Sequence, residues 1–155
     1  MIDVKHLFDT VGSVKEIDLT YDYSDYDLNG YKPFTTPVQV IGEISNKAGV
    51  TSLKFTAKLT AVFQCDRCLN DVEQDFSFSG DFILTEDSSA DLDEEKYILC
   101  ENGELNLKEA VLFLILLNIP SKHLCQKNCK GLCYNCGKNL NDGDCECGTQ
   151  DNDNC

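Results

Sequence analysis

The chain has 155 residues, ten cysteines and a formal net charge of −14 from 27 acidic and 13 basic residues. That length suits one domain, or one domain with a small appendage, and it buries a core without disulfide staples. The acidity works against broad contact with phosphate backbones or anionic membranes. The longest apolar run, residues 110–117, is far too short to span a bilayer.

Residues 1–5 lack the charged-then-apolar pattern of a secretory leader, so the chain is expected to be cytoplasmic. In that reducing compartment, clustered cysteines point to metal thiolates, with a disulfide framework as the alternative. Ile2, Val4, Leu7 and Phe8 support a short helix within residues 1–9, and residues 21–36, rich in Tyr, Asp, Asn and Gly, read as a long irregular connection. Val38, Val40 and Ile44 share a parity around Gly42, and Asn46, Lys47, Ala48 and Gly49 make a turn. Leu53, Phe55, Ala57, Leu59, Ala61 and Phe63 then alternate with polar residues, the period of a half-buried antiparallel strand. Val72, Phe76, Phe78, Phe82 and Leu84 predict a third strand of opposite parity with a bulge at Gly80. Three strands in meander order follow, one face packed and one wet.

Residues 86–95 are acidic and serine-containing, the composition of a mobile loop. Tyr97, Ile98 and Leu99 predict a further short strand. Asn106 and Glu109 have capping-box spacing for a helix that ends near Asn118, before Pro120. Its second half is apolar on every side, as in a helix packed deep against a sheet. The expected architecture is α+β: a mainly antiparallel meander sheet with one buried C-terminal helix over residues 1–120. A zinc-binding, cysteine-rich tail, residues 121–155, is expected to pack on it, its last residues disordered.

The chemistry lies in Cys65-x2-Cys68 and in the run Cys125, Cys129, Cys133, Cys136, Cys145 and Cys147. Two cysteines separated by two residues grip one metal from a tight turn, and zinc takes four such ligands. A glycine after the second cysteine, as at Gly137, accepts positive φ and lets backbone N–H groups face the sulfurs. Cys133, Cys136, Cys145 and Cys147 are local enough to close one site. Cys65 and Cys68 would then join Cys125 and Cys129 in a long-range site. A rival grouping joins Cys125, Cys129, Cys133 and Cys136, leaving Cys65 and Cys68 to Cys145 and Cys147. One or two structural zinc ions are expected on either grouping. Cys100, ending an apolar strand, reads as a small buried hydrophobe, and the terminal Cys155 as free. His123 is a minor alternative ligand, and His6 reads as a surface residue. All-sulfur ligation leaves no open metal position, and no phosphate loop, nucleophile elbow or paired-histidine motif is present, so no enzymatic activity is expected.

Charge is distributed unevenly. Residues 1–120 carry 22 acids against nine bases, residues 121–140 carry Lys122, Lys127, Lys130 and Lys138 with no acid, and the last fifteen carry five acids and no base. That basic island, with Arg67 (the chain's one arginine), is the candidate contact with RNA or a partner. Arg67 suits a phosphate, or an ion pair with Asp66 or Asp71.

The block 65–69 (Cys-Asp-Arg-Cys-Leu) after an alternating strand, with the block 129–141 behind an apolar helix, resembles the YceD-like family of bacterial and plastid proteins linked to 23S ribosomal RNA accumulation. The resemblance runs from about residue 35 to 147. It implies a non-enzymatic zinc-binding accessory factor in ribosome biogenesis that contacts large-subunit rRNA or a pre-ribosomal particle, directly or through a ribosomal protein. No membrane and no small-molecule substrate are implied. Tyr134 stands where the family often has proline, and some relatives lack most of the C-terminal cysteines. Two other functions fit the residues. One is an acidic module, using residues 91–95 and the C-terminal acids, that binds a basic ribosomal protein or processing factor. The other is a zinc-thiolate redox switch.

Overall fold

A computed structural model describes residues 1–87 and 96–149. The expectations for the acidic segment 91–95, for the last residues and for Cys155 lie outside the described residues. In chain order the elements are β1 (Ile2–Asp3), α1 (Lys5–Asp9), β2 (Val14–Tyr21), β3 (Val38–Lys47), β4 (Val50–Gln64), β5 (Asp71–Thr85), β6 (Tyr97–Leu99), β7 (Glu104–Leu105), α2 (Leu107–Asn118) and a closing 3-10 turn (Glu146–Thr149). They fall into two compact units, residues 1–61 with 75–119, and residues 62–74 with 120–155.

The first unit carries a five-stranded sheet in the order β2-β3-β4-β5-β6. β2, β3, β4 and β5 neighbour one another in sequence order, the expected meander lengthened by one strand. A two-residue hairpin turn of type I′ needs positive φ at both centres. Ala48 (φ 54°) and Gly49 (φ 85°) supply it, setting Lys47 opposite Val50. The odd positions of β4 from Leu53 to Ala61 are buried together with Val38, Val40 and Ile44 of β3, as their parity requires. Asn46 is fully buried and binds this hairpin to α1, its amide donating to the carbonyls of Leu7 (2.7 Å) and Phe8 (3.2 Å).

The structure departs from a plain antiparallel meander at three points. The sheet is mainly antiparallel, as expected, and β6 makes it mixed by lying parallel to β5, with Ile83 opposite Tyr97. A parallel neighbour needs a crossover in place of a hairpin. β2, the second departure, has no counterpart in the hydrophobic pattern because it is an edge strand that buries only Ile17. At Gly80, the third, the alternation of β5 continues unbroken, so there is no bulge. A side chain there would run into the Phe82 ring and come within 3.2 Å of Leu114 in α2, so close packing requires the glycine.

α2 begins as its capping signal predicts: Asn106 Oδ1 accepts from the Glu109 N–H, and the Asn106 amide donates to Glu109 Oε2 at 2.8 Å. Leu107, Ala110, Val111, Leu114 and Ile115 form its buried face, whereas Leu117 is exposed. Cys100 is buried, as expected of a small apolar residue. The irregular stretch 22–37 is anchored by the buried rings of Tyr23 and Phe34, and the Tyr23 hydroxyl donates to the Lys108 carbonyl at 2.6 Å.

The second unit consists of the tip of the β4–β5 hairpin and the segment after α2. Pro120 opens that segment, and Ile119 before it is extended (φ −62°, ψ 127°), as a residue preceding proline should be. Val72, Leu124 and Leu132 pack around Cys65, Cys68 and Cys129.

Candidate metal centre

Cys65 with Cys68 and Cys133 with Cys136 each sit in a tight turn whose backbone shapes the site. At the hairpin tip, the Leu69 N–H bonds the Cys65 carbonyl at 2.9 Å and the Cys65 N–H bonds the Asn70 carbonyl at 2.8 Å, with Leu69 at φ 61°. The turn at Cys133 is built alike: the Gly137 N–H bonds the Cys133 carbonyl at 2.8 Å, and Gly137 takes the positive φ (74°) read from its position after Cys136.

The sulfurs gather into two tetrads, Cys65 with Cys68, Cys125 and Cys129, and Cys133 with Cys136, Cys145 and Cys147. Within each, all sulfurs lie within 4.8 Å of one another. This is the first partition read from the spacing, not the rival one. Four sulfurs about 2.3 Å from a tetrahedral metal are about 3.8 Å apart. Cys65 Sγ and Cys129 Sγ are 3.8 Å apart, and Cys68 Sγ and Cys125 Sγ 3.6 Å. The donor set therefore fits a tetrahedral, thiophilic cation. Three sulfur residues of the first tetrad are buried and Cys125 is exposed; in the second, Cys133 is buried and Cys136 exposed.

The electrostatics match a cation's requirements. Burial opposes a thiolate at Cys65, but the N–H groups of Cys68, Arg67 and Cys125 outweigh it and bring the thiol down to about 6. The N–H groups of Cys136 and Asn135 bring Cys133 to about 6 as well. Burial, followed by the neighbouring sulfurs, pushes Cys125 up to about 12. Sharing a hydrogen bond with Cys136, then burial, raises Cys147 to about 11. Each tetrad thus favours its first thiolates and resists the later ones, a repulsion that a divalent cation would remove.

Further side chains around the tetrads support them, and the cysteine spacing alone does not mark these. Asn141 donates its amide N–H to Cys129 Sγ at 3.2 Å, and its oxygen accepts from the Lys130 N–H at 2.9 Å and from Gln126 Nε2 at 3.0 Å. Cys129 is held low chiefly by that Asn141 donation. Asp66 exchanges two hydrogen bonds with His123, accepting its N–H at Oδ2 (2.8 Å) and donating its own N–H to the His123 carbonyl (2.9 Å). His123 is buried and belongs to neither tetrad, its Nδ1 lying 3.2 Å from Gln74 Oε1. The signal within reach was the pair Asn139 and Asn141 inside the short loop between Cys136 and Cys145.

The basic candidates differ in their surroundings. Arg67 donates from Nη1 to the Cys129 carbonyl at 2.8 Å, a role not among those read from the sequence. Lys130 approaches Asp144 at 4.0 Å, and Lys138 Nζ donates to the Asp144 carbonyl at 2.9 Å. Lys122 and Lys127 are exposed. His6 is exposed too, as expected.

A mixed β-sheet with one buried helix, continued by a module of two four-cysteine clusters, defines a protein whose sulfurs could hold metal ions. The family model described as large ribosomal RNA subunit accumulation protein YceD matches residues 53–154, a span that includes all eight clustered cysteines. The chain belongs to the YceD family. It is similar to the chloroplastic large ribosomal RNA subunit accumulation protein YCED homolog 1 of Arabidopsis thaliana, 24% identical over 170 residues, covering 91% of this chain and 51% of the relative. The Zea mays protein of the same name is also 24% identical, over 145 residues, covering 74% of this chain and 49% of the relative. The chain thus spans about half the length of these curated relatives. No solved structure matches it. Among the described residues, no helix is long and apolar enough to cross a membrane.

Proposed function

We propose that this chain is a cytoplasmic, non-enzymatic zinc protein that supports accumulation of large-subunit ribosomal RNA. The observation that carries the reading is the family match over residues 53–154, which encloses both sulfur tetrads. Zinc is the cation favoured by four thiolates in a tetrahedron, and a reducing compartment keeps those thiolates available. Four protein ligands per ion leave no position for substrate, which supports a structural role for the metal. The ions would fold residues 120–149 into a rigid unit that presents Lys122, Lys127 and the free edge of Arg67 to an RNA or a pre-ribosomal particle. Two zinc ions with eight thiolates add roughly −4 to an already acidic chain. Any RNA contact is therefore local to these bases and sensitive to salt.

One observation favours a second reading, capture of a basic ribosomal protein. The wet face of the sheet holds a groove of about 790 Å³ rimmed by Glu16, Asp18, Glu43 and Asp81, with Lys54 as its one base, and Lys54 is paired to Asp81 at 3.0 Å.

The test measures metal content per chain and then compares binding to large-subunit rRNA fragments with binding to basic ribosomal proteins. Two zinc ions and salt-dependent RNA binding are expected. Metal-free protein with few free thiols would overturn the zinc assignment, and binding to the basic proteins alone would favour the second reading.

A further inference from the structure

The two tetrads share more than proximity in sequence. The second closes a short loop, residues 137–144, between Cys136 and Cys145. This loop folds back along the three residues between Cys129 and Cys133, which connect the two tetrads. The Leu140 N–H bonds the Gly131 carbonyl at 2.9 Å, the Cys133 N–H bonds the Lys138 carbonyl at 2.8 Å, and Leu132 and Asn139 form an antiparallel bridge. At the far end of the loop, Asn141 places its amide N–H on Cys129 Sγ at 3.2 Å while its oxygen accepts the Lys130 N–H. Asn139 Oδ1 fixes the orientation of that amide, accepting from Asn141 Nδ2 at 2.8 Å and from the Asn141 N–H at 3.0 Å. A side chain held in a loop that one tetrad closes is thus a hydrogen-bond donor to a sulfur of the other. The connecting strand is also tied to the first tetrad's own turn, since the Leu132 N–H bonds the Arg67 carbonyl at 3.1 Å and Arg67 Nη1 bonds the Cys129 carbonyl.

We propose that the two metal sites load cooperatively, with Asn141 the residue that couples them; this rests on the metal reading above. Without a metal at Cys133, Cys136, Cys145 and Cys147, the loop loses its closure and Asn141 has no fixed position. Cys129 then loses its donor, and the first site must bind its ion with an under-supported sulfur. Hydrogen bonds from outside the ligand set to metal ligands typically govern about ten- to hundredfold of metal affinity. The coupling is reciprocal by linkage, so filling the first site fixes Cys129, Asn141 and hence the loop of the second.

The experiment titrates Co²⁺ into the metal-stripped, reduced full-length chain against a competing chelator, with thiolate charge-transfer absorption reporting binding and native mass spectrometry counting ions. Single-site constants come from Cys145→Ser with Cys147→Ser and from Cys65→Ser with Cys68→Ser. The coupling factor is the two-metal constant of the full chain divided by the product of those two constants. A factor of about ten or more is expected, falling to near one in Asn141→Ala. Asn141→Asp keeps the oxygen that accepts from Lys130 but loses the donor and sets an anion against the sulfur. It is expected to abolish the coupling while hydrogen exchange of residues 129–141 in the loaded chain stays protected. A factor near one in the unmodified chain, or an undiminished factor in both Asn141 variants, overturns the coupling and leaves two independent metal sites standing. No Co²⁺ uptake by the unmodified chain overturns both the coupling and the metal reading.

Discussion

The imidazole of His123 lies flat on the ring of Phe63, with centroids 3.7 Å apart and planes 3° from parallel. Stacked in this way, with its backbone paired to Asp66 and Nδ1 beside Gln74, the histidine holds the start of the C-terminal segment against the hairpin tip that carries Cys65 and Cys68. Its role is packing rather than ligation. His123→Ala should cost on the order of 3 kcal/mol, the range for deleting a buried ring, and should raise hydrogen exchange across residues 120–130. His123→Phe keeps the stack and should recover most of that loss. Metal stoichiometry should remain the same in both, and a drop of one ion per chain would show that the ring is a ligand after all.

Arg67 presents two faces, one bonded to the Cys129 carbonyl and the other exposed. The bonded face predicts that Arg67→Ala weakens metal retention at the first tetrad, measured by chelator challenge, while Arg67→Lys loses less because one donor suffices there. The exposed face predicts an RNA effect that Lys also preserves: if it meets a phosphate, Arg67→Ala lowers the slope of log affinity against log salt by about one. An unchanged slope with weaker metal retention would assign Arg67 wholly to the metal unit.

Much of this was legible in residue order, for reasons that differ by element. β4 announced itself because one face is buried along its whole length, so its period of two carries through. α2 was bounded by Asn106, Glu109 and Pro120, each a local backbone constraint. The tetrads were readable because closing a metal site demands particular spacings. β2 left no comparable trace, since an edge strand burying Ile17 alone need not alternate. The parallel seat of β6 depends on where the chain returns after residue 96, which no local pattern encodes. Asn141 and the packing role of His123 escaped because an asparagine or a histidine near cysteines has many uses, and only three-dimensional placement selects one.

Gly80 offers a direct check on the first unit. A methyl group added there meets the Phe82 ring and the Leu114 side chain, and Phe82 is itself stacked on Phe55 at 5.9 Å. Gly80→Ala should therefore destabilise the sheet by about 1–3 kcal/mol, as overpacking does, seen as a lower thermal midpoint. Its metal content should not change, because the eight clustered cysteines belong to the other unit. An unchanged midpoint would mean that Phe82 rotates away freely, and the close-packing account of Gly80 would fail.

The pH dependence of metal binding follows from which thiols ionise first. Protons and metal compete for the same sulfurs, so affinity rises with pH. Near neutral pH, Cys65 and Cys133 are already thiolates, each at about 6, while Cys125 at about 12 and Cys147 at about 11 still hold protons that the metal must displace. As the pH falls through about 6, Cys65 and Cys133 take up protons too, and each site must then release one more on binding. The plot of log affinity against pH should therefore steepen below that point by about one unit of slope per site. Co²⁺ titrations between pH 5 and 8 would measure it. A constant slope across that range would mean that the backbone N–H groups around Cys65 and Cys133 do not favour their thiolates, and that the two turns position sulfur without activating it.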